Sequence, residues 1–364
     1  MAGIDQRIGM KLSDLDTPTL LLDRGACERN LLRMASFFKD RPSKLRPHFK
    51  NHKCVTLAKK QIAAGAVGMT CAKLAEAEVL VEHGFDDVLI ANQVVGKIKT
   101  QRLAKLAKRA RISVAIDCIE HAVAISQSAA EESSTVNLLV EVDIGMGRCG
   151  VQPGDAALEL VRNIVKLPNI RFAGLQAYEG HLVNVLDREE RTLRAQAAMQ
   201  LAIETRELIQ SAGYKVFCIS GCSSSTYDST GALAGVDEIQ AGSYATMDKQ
   251  YKKLVPEFDI ALSVLVRVIS RPSAHKAVID VGIKGAGCEF GLPGIRDFPD
   301  VEIPFFLAEE HCVINQCPDW QVGQLLHFIP THACTTCNLH REILVYENDI
   351  VVEVWPIEAS GKLT

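Results

Sequence analysis

The sequence has no run of about 18 apolar residues, the length a helix needs to cross a bilayer. Its first dozen residues, MAGIDQRIGMKL, lack the continuous apolar core of a secretory signal. A soluble, cytosolic protein with no membrane partner is expected. Aromatic residues are scarce at 5%, and neither sign of charge dominates, with 40 Lys and Arg against 44 Asp and Glu. Without a basic surplus there is no electrostatic footprint for nucleic acid, so a small-molecule partner is expected instead. The twelve cysteines are scattered through 364 residues without the close spacing of a small disulfide framework. Reduced thiols, most of them serving as small core residues, fit that pattern.

What is present is alternation. A chain of this length exceeds one ordinary core of ~150 residues. Eight strand-like apolar runs occupy 45–50, 68–72, 88–92, 112–117, 138–144, 172–178, 216–221 and 238–244. Most gaps carry helix-period text such as KCVTLAKKQIAAG, LAEAEVLVEHG and IKTQRLAKLAKRA, two of which close on Gly. Strand-helix alternation demands parallel pairing, and eight repeats close naturally into a barrel. An open doubly wound sheet is the alternative, but no GxGxxG follows the first strand. The expected fold is α/β: a TIM-type (β/α)8 barrel over 17–255 with a C-terminal all-β domain over 256–364. Residues 1–16 either join that domain or lead into the barrel. The β assignment rests on short alternating segments such as REILVYENDIVVEVWPI.

In such a barrel the carboxyl ends of the strands hold the active site. The first run ends in His48, Phe49 and Lys50, within the basic stretch KLRPHFKNHK. The fifth offers Asp143, Arg148 and glycines that let backbone approach a ligand, and the sixth offers Gln176, Tyr178 and His181. Small and hydroxylated residues follow the last two runs, in ISGCSSSTYD and QAGSYATMD. These suit a phosphate cradle, and a phosphate site facing a lysine is what an aldehyde cofactor needs.

The ordered set DTP at 16–18, RPHFKNHK at 46–53, GMGRCGV at 145–151, FAGLQAYEG at 172–180, QAGSYATMD at 240–248 and PTHAC at 330–334 resembles the alanine-racemase-type pyridoxal-phosphate enzymes. Within them it is similar to the D-threonine aldolase and D-serine dehydratase branch. The resemblance implies pyridoxal 5'-phosphate as cofactor, with Lys50 bonding its aldehyde and His52 a second catalytic candidate at the mouth. It gives Arg148 the cofactor's phenolic oxygen and places Tyr178 near the pyridine nitrogen. Ser220, Gly221, Cys222, Ser223 and Ser224, with Gly242, Ser243 and Tyr244, would hold the phosphate. Lys44 and Lys53 are read as solvated charge. A homodimer is also implied.

THACTTCNLH holds His332, Cys334, Cys337 and His340, and admits a structural zinc site, a redox CxxC or a two-ligand open site. On a strand, His332 and Cys334 share a face that Cys337 does not, which favours that pair. The resemblance agrees, since HAC is similar to the metal-binding His-x-Cys of the dehydratases, where the aldolases carry His-x-Asp. A thiolate ligand suggests zinc, whereas manganese or magnesium would prefer a carboxylate. EEH at 309–311 is read either as a further contact or as a surface turn.

The implied function is a metal-dependent lyase on D-β-hydroxy-amino acids, with aldol cleavage to glycine and an aldehyde placed ahead of dehydration of D-serine or D-3-hydroxyaspartate. Amino-acid racemisation would leave the metal pair without a role. A non-catalytic carrier of the cofactor would leave the β domain unexplained.

Overall fold

The computed structural model describes residues 5–301, 303 and 308–364. They form two compact units: Met34–Lys50, Ala58–Gly242 and Lys362–Thr364 in one, and the residues up to Arg33, Asn51–Leu57 and Ser243–Gly361 in the other.

The first unit is a barrel of the expected kind, but its bounds differ from the expected 17–255: it starts at Met34, its main segment ends at Gly242, and Asn51–Leu57 fall in the other unit. Its strands are Lys44–Leu45, Met69–Cys71, Asp87–Ile90, Arg111–Ile116, Val136–Val142, Ile170–Ala177, Cys218–Gly221 and Glu238–Ile239. All their pairings are parallel. The ring closes where His48 bridges Thr70 and the Thr70 N–H donates to the Pro47 carbonyl at 2.9 Å. Helices such as Leu74–Glu82, Lys97–Leu106 and Ile119–Glu131 follow the strands. Because helices cover the outer face, Val88, Ile90, Ile112, Val114, Leu138 and Val140 are fully buried, which is why these strands read as apolar runs. Gly84, at φ +90°, ends its helix in the left-handed region open to glycine. The first strand is shorter than expected: Pro47 has no N–H to give the ladder, and the chain turns into a 3-10 segment at Phe49–Asn51.

The barrel is tied across its lower end by Arg46, which is 4% exposed. Its guanidinium forks to Asp87 at 3.0 and 3.1 Å and to Glu238 at 2.8 Å twice. Gly68 makes room for it, since a Cβ there would lie 2.2 Å from Arg46 Nη1. Arg46→Met should therefore cost about 3–5 kcal/mol by leaving buried carboxylates underpaired. Burial pushes Asp87 up, but Arg46 and Arg111 outweigh it and hold the carboxyl below its ordinary value. A depressed folded pKa stabilises above the unfolded value and is lost as pH falls through the folded one. The difference between Arg46→Met and the parent in urea unfolding should thus be full at pH 7 and shrink below about pH 4.

In the second unit Gly294–Ile295, Leu325–Ile329, Leu262–Ser273, Thr19–Asp23, Glu342–Glu347 and Ile350–Pro356 form one sheet in that order, with Lys276–Ile279 and Cys312–Asn315 branching from it. Thr19–Asp23 was not among the expected strands. It runs antiparallel to Leu262–Ser273 and parallel to Glu342–Glu347. Leu21, Leu265, Leu344 and Val351 pack on Leu12 and Leu15. Asn348 and Asp349, both at positive φ, make the two-residue turn of the last hairpin. None of the twelve cysteines is in a disulfide, and none is exposed. Among the described residues no helix is long and apolar enough to cross a membrane.

Candidate active site

At the carboxyl ends of the barrel strands, three of the residues singled out in the sequence converge. Lys50 Nζ lies 5.9 Å from the centroid of the Tyr178 ring, and the Arg148 guanidinium carbon lies 5.5 Å from the same centroid. Gly180 allows this placement, because a Cβ there would sit 2.2 Å from the Tyr178 ring. Arg148 is steadied by Glu141 at 3.8 Å, and Glu141 accepts the Gln93 amide at 2.6 Å. Burial raises the pKa of the Glu141 carboxyl, and these partners oppose the shift only in part.

The loop carrying Arg148 explains its glycines differently from the sequence reading. Asp143 Oδ1 accepts the N–H groups of Gly145 and Gly147, each at 3.0 Å, with both glycines at positive φ. A Cβ on Gly150 would meet the Asp143 nitrogen at 2.7 Å. These glycines let the loop fold on itself and present the arginine.

The SGCSSS segment leaves the strand Cys218–Gly221 through Cys222, which has φ +69°. Ser220 Oγ accepts the Gln240 amide at 2.9 Å, and Gly221 lies so close to Ala177 that a Cβ would be 1.7 Å from its carbonyl oxygen. The Cys222 thiol is buried beside Glu179, and burial together with that carboxyl pushes it well up. Ser223 Oγ lies 2.7 Å from Ser225 Oγ and 3.3 Å from Thr226 Oγ1, and Thr226 donates to Glu179 Oε1 at 2.6 Å. Ser224 is buried in the same turn, and Gly242 is the last residue of the barrel's main segment. An amine, a guanidinium and a phenol, with a tight turn of small hydroxylated residues after the strand next to that of Tyr178, form a donor set that fits a phosphorylated aromatic aldehyde.

The second unit contains the other candidates. Ser243 and Tyr244 are buried in the turn Ser243–Ala245, where the Tyr244 ring packs edge-on against Phe258. His52 is fully buried, and its Nδ1 accepts the Cys54 N–H at 3.1 Å, which leaves Nε2 as the protonated nitrogen of the neutral ring. Lys53 is not solvated: it is 6% exposed, and its Nζ lies 3.5 Å from the Ala359 carbonyl. Lys44, in the barrel, is half-buried and donates to the Arg41 carbonyl at 2.8 Å. Both depart from the expected solvated charge.

The HAC segment is a helix start, not a strand. His332 is the N-cap of Ala333–Leu339. Asp248 supplies the acceptor that the N-cap side chain does not, taking the Ala333 N–H at 3.0 Å. His332 and Cys334 are nonetheless neighbours: burial pushes the imidazole down, but the Cys334 sulfur and the Glu289 carboxylate outweigh it and hold it at about 10. His332 Nδ1 lies 2.5 Å from Glu289 Oε1, and Asn51 donates to Cys334 Sγ at 3.7 Å while accepting from Thr246 at 2.8 Å. Cys337 is fully buried, and His340 is held by the Gly285 carbonyl. An imidazole whose other nitrogen is backed by a carboxylate, next to a partly exposed thiol, is a donor set that fits a divalent cation. Glu289 and Asn51 were missed, for neither has a spacing that connects it to HAC. Glu309, Glu310 and His311 are exposed, with Glu310 paired to Lys284.

The alanine racemase N-terminal domain family matches residues 22–250, and the putative serine dehydratase domain family matches 261–346. D-Threonine aldolase from Arthrobacter sp is 35% identical, covering 97% of this chain and 95% of that protein. 3-Hydroxy-D-aspartate aldolase from Paracoccus denitrificans is 33% identical, covering 97% and 94%. The crystal structure of D-threonine aldolase from Filomicrobium marinum superposes with a TM-score of 0.96 at 37% identity, covering 99% of this chain and all of that one. Motif order, barrel and relatives agree, and the chain belongs to the alanine racemase N-terminal domain family, in the group that includes D-threonine aldolase and 3-hydroxy-D-aspartate aldolase.

Proposed function

We propose that the protein is a pyridoxal-phosphate- and divalent-metal-dependent lyase that cleaves D-β-hydroxy-amino acids to glycine and an aldehyde. The observation that carries this reading is the convergence of Lys50 and Arg148 on the Tyr178 ring at the carboxyl end of the barrel. The two aldolases similar over nearly the whole chain support the choice of cleaved bond. When bound, the cofactor supplies an electron sink for the pair left at Cα, and the cation supplies Lewis acidity at the β-hydroxyl.

The chain's own groups divide the remaining work. Lys50 provides the amine that holds the cofactor's aldehyde, Arg148 its phenolic oxygen, and Tyr178 a neutral partner for the ring nitrogen. Ser223 and Ser224, with Gly242, hold the phosphate. His332 and Cys334 hold the cation, zinc in preference to manganese or magnesium because one ligand is sulfur. Glu289 takes the proton of His332 Nδ1 and so fixes which ring nitrogen faces the metal. His52, with its Nδ1 occupied by the Cys54 N–H, serves as an Nε2–H donor.

Dehydration is the second reading, favoured by the match of residues 261–346 to the serine dehydratase domain family and by sulfur at position 334. Incubation of the zinc- and cofactor-loaded enzyme with D-threonine, D-serine and D-3-hydroxyaspartate tests the two. Acetaldehyde with glycine from D-threonine, or glyoxylate with glycine from 3-hydroxyaspartate, is the expected outcome. Release of ammonia with 2-oxobutyrate, pyruvate or oxaloacetate would replace aldol cleavage by elimination.

A further inference from the structure

The end of the barrel opposite Lys50 is not sealed as such barrels usually are. Interior rows are ordinarily filled by bulky branched apolar side chains. Here the row set by strand register runs Leu89, Ser113, Asn137, Arg171, and it becomes polar after its first member. Together with Arg46, Arg111 and Glu238 these residues line a cavity of about 340 Å³ near the amino ends of the strands.

The charges there do not balance. Arg46 is satisfied by Asp87 and Glu238, and Arg111 shares Asp87. Three guanidinium groups therefore face two carboxylates. Among the described residues the Arg171 guanidinium has no hydrogen-bond or ion-pair partner. Asn137 donates its amide to the Ile112 carbonyl at 3.2 Å and stands in register with Arg171 on the next strand. A guanidinium is a flat fork of donors that matches carboxylate or phosphate oxygens two at a time. A cavity of this size accommodates a small metabolite.

The geometry points to a second ligand site at the floor of the barrel, in which Arg171, Arg111 and the Ser113 hydroxyl bind a small oxyanion, either a phosphate or a dicarboxylate. The site stands on barrel residues alone and does not depend on the lyase reading. It lies at the opposite ends of the strands from Lys50, so its occupant does not compete with the aldehyde cofactor.

Titration calorimetry on the cofactor-loaded enzyme, with inorganic phosphate in one arm and malonate in the other, tests it. One saturable event per chain is expected in one arm, and the arm that responds names the class of anion. Arg171→Gln should weaken that event at least about tenfold. Ser113→Leu, which fills the cavity without removing charge, should weaken it comparably, and both variants should keep the parent's lyase activity. No saturable binding of either anion up to about 10 mM would overturn the inference, as would binding that both variants leave unchanged.

Discussion

Lys50→Ala is expected to abolish the visible absorbance of the cofactor-loaded protein and to lower lyase activity by at least about 10³-fold. No neighbouring lysine can take its place. Of the three in KLRPHFKNHK, Lys44 is committed to the Arg41 carbonyl and Lys53 lies buried against the Ala359 carbonyl. Only Lys50 brings an amine to the Tyr178 ring. The substitution is made in a half-buried 3-10 turn and, among the described residues, removes no side-chain hydrogen bond, so urea unfolding should be nearly unchanged. A coloured, active Lys50→Ala protein would remove the basis for the cofactor assignment.

The second large effect concerns the cation. Chelation, His332→Ala and Cys334→Ala should each reduce activity by ~10²-fold or more, since a Lewis acid contributes several kcal/mol at a developing oxyanion. The visible absorbance should survive all three, because Lys50, Arg148 and Tyr178 belong to the barrel and His332 and Cys334 to the β unit. Cys337→Ala is the control. Its thiol is fully buried, and burial pushes its pKa well up, so it is a packing residue whose loss should lower stability while leaving metal-dependent activity. Full activity in Cys334→Ala with none in Cys337→Ala would assign the ligand to the other cysteine.

These two sites were not equally legible in the chain. Parallel strands covered on both faces read as short apolar runs, so residues such as Val88–Ile90 and Leu138–Val140 announce the barrel directly. Lys50 was legible because it follows one such run inside an ordered set of motifs. The HAC segment was misread because three residues cannot separate a strand's alternation from a helix's first turn. What decides it is Asp248, distant in sequence, which accepts the Ala333 N–H. Glu289 was invisible for the same reason: it meets His332 across 43 residues with no periodicity to mark it. The glycines of DIGMGRCG were visible as glycines, but their purpose, folding the loop around Asp143, depends on φ angles that sequence does not carry.

D-Threonine carrying deuterium at Cα tests directly whether the bond broken is Cα–Cβ and not Cα–H. Aldol cleavage leaves that deuterium in place and adds a solvent proton at Cα, so mass spectrometry should find glycine with one deuterium, in equal amount with acetaldehyde. Dehydration must remove the α-deuterium, and would instead yield 2-oxobutyrate and ammonia with the label lost to solvent. Singly labelled glycine is expected, and unlabelled keto acid as the main product would contradict cleavage of Cα–Cβ.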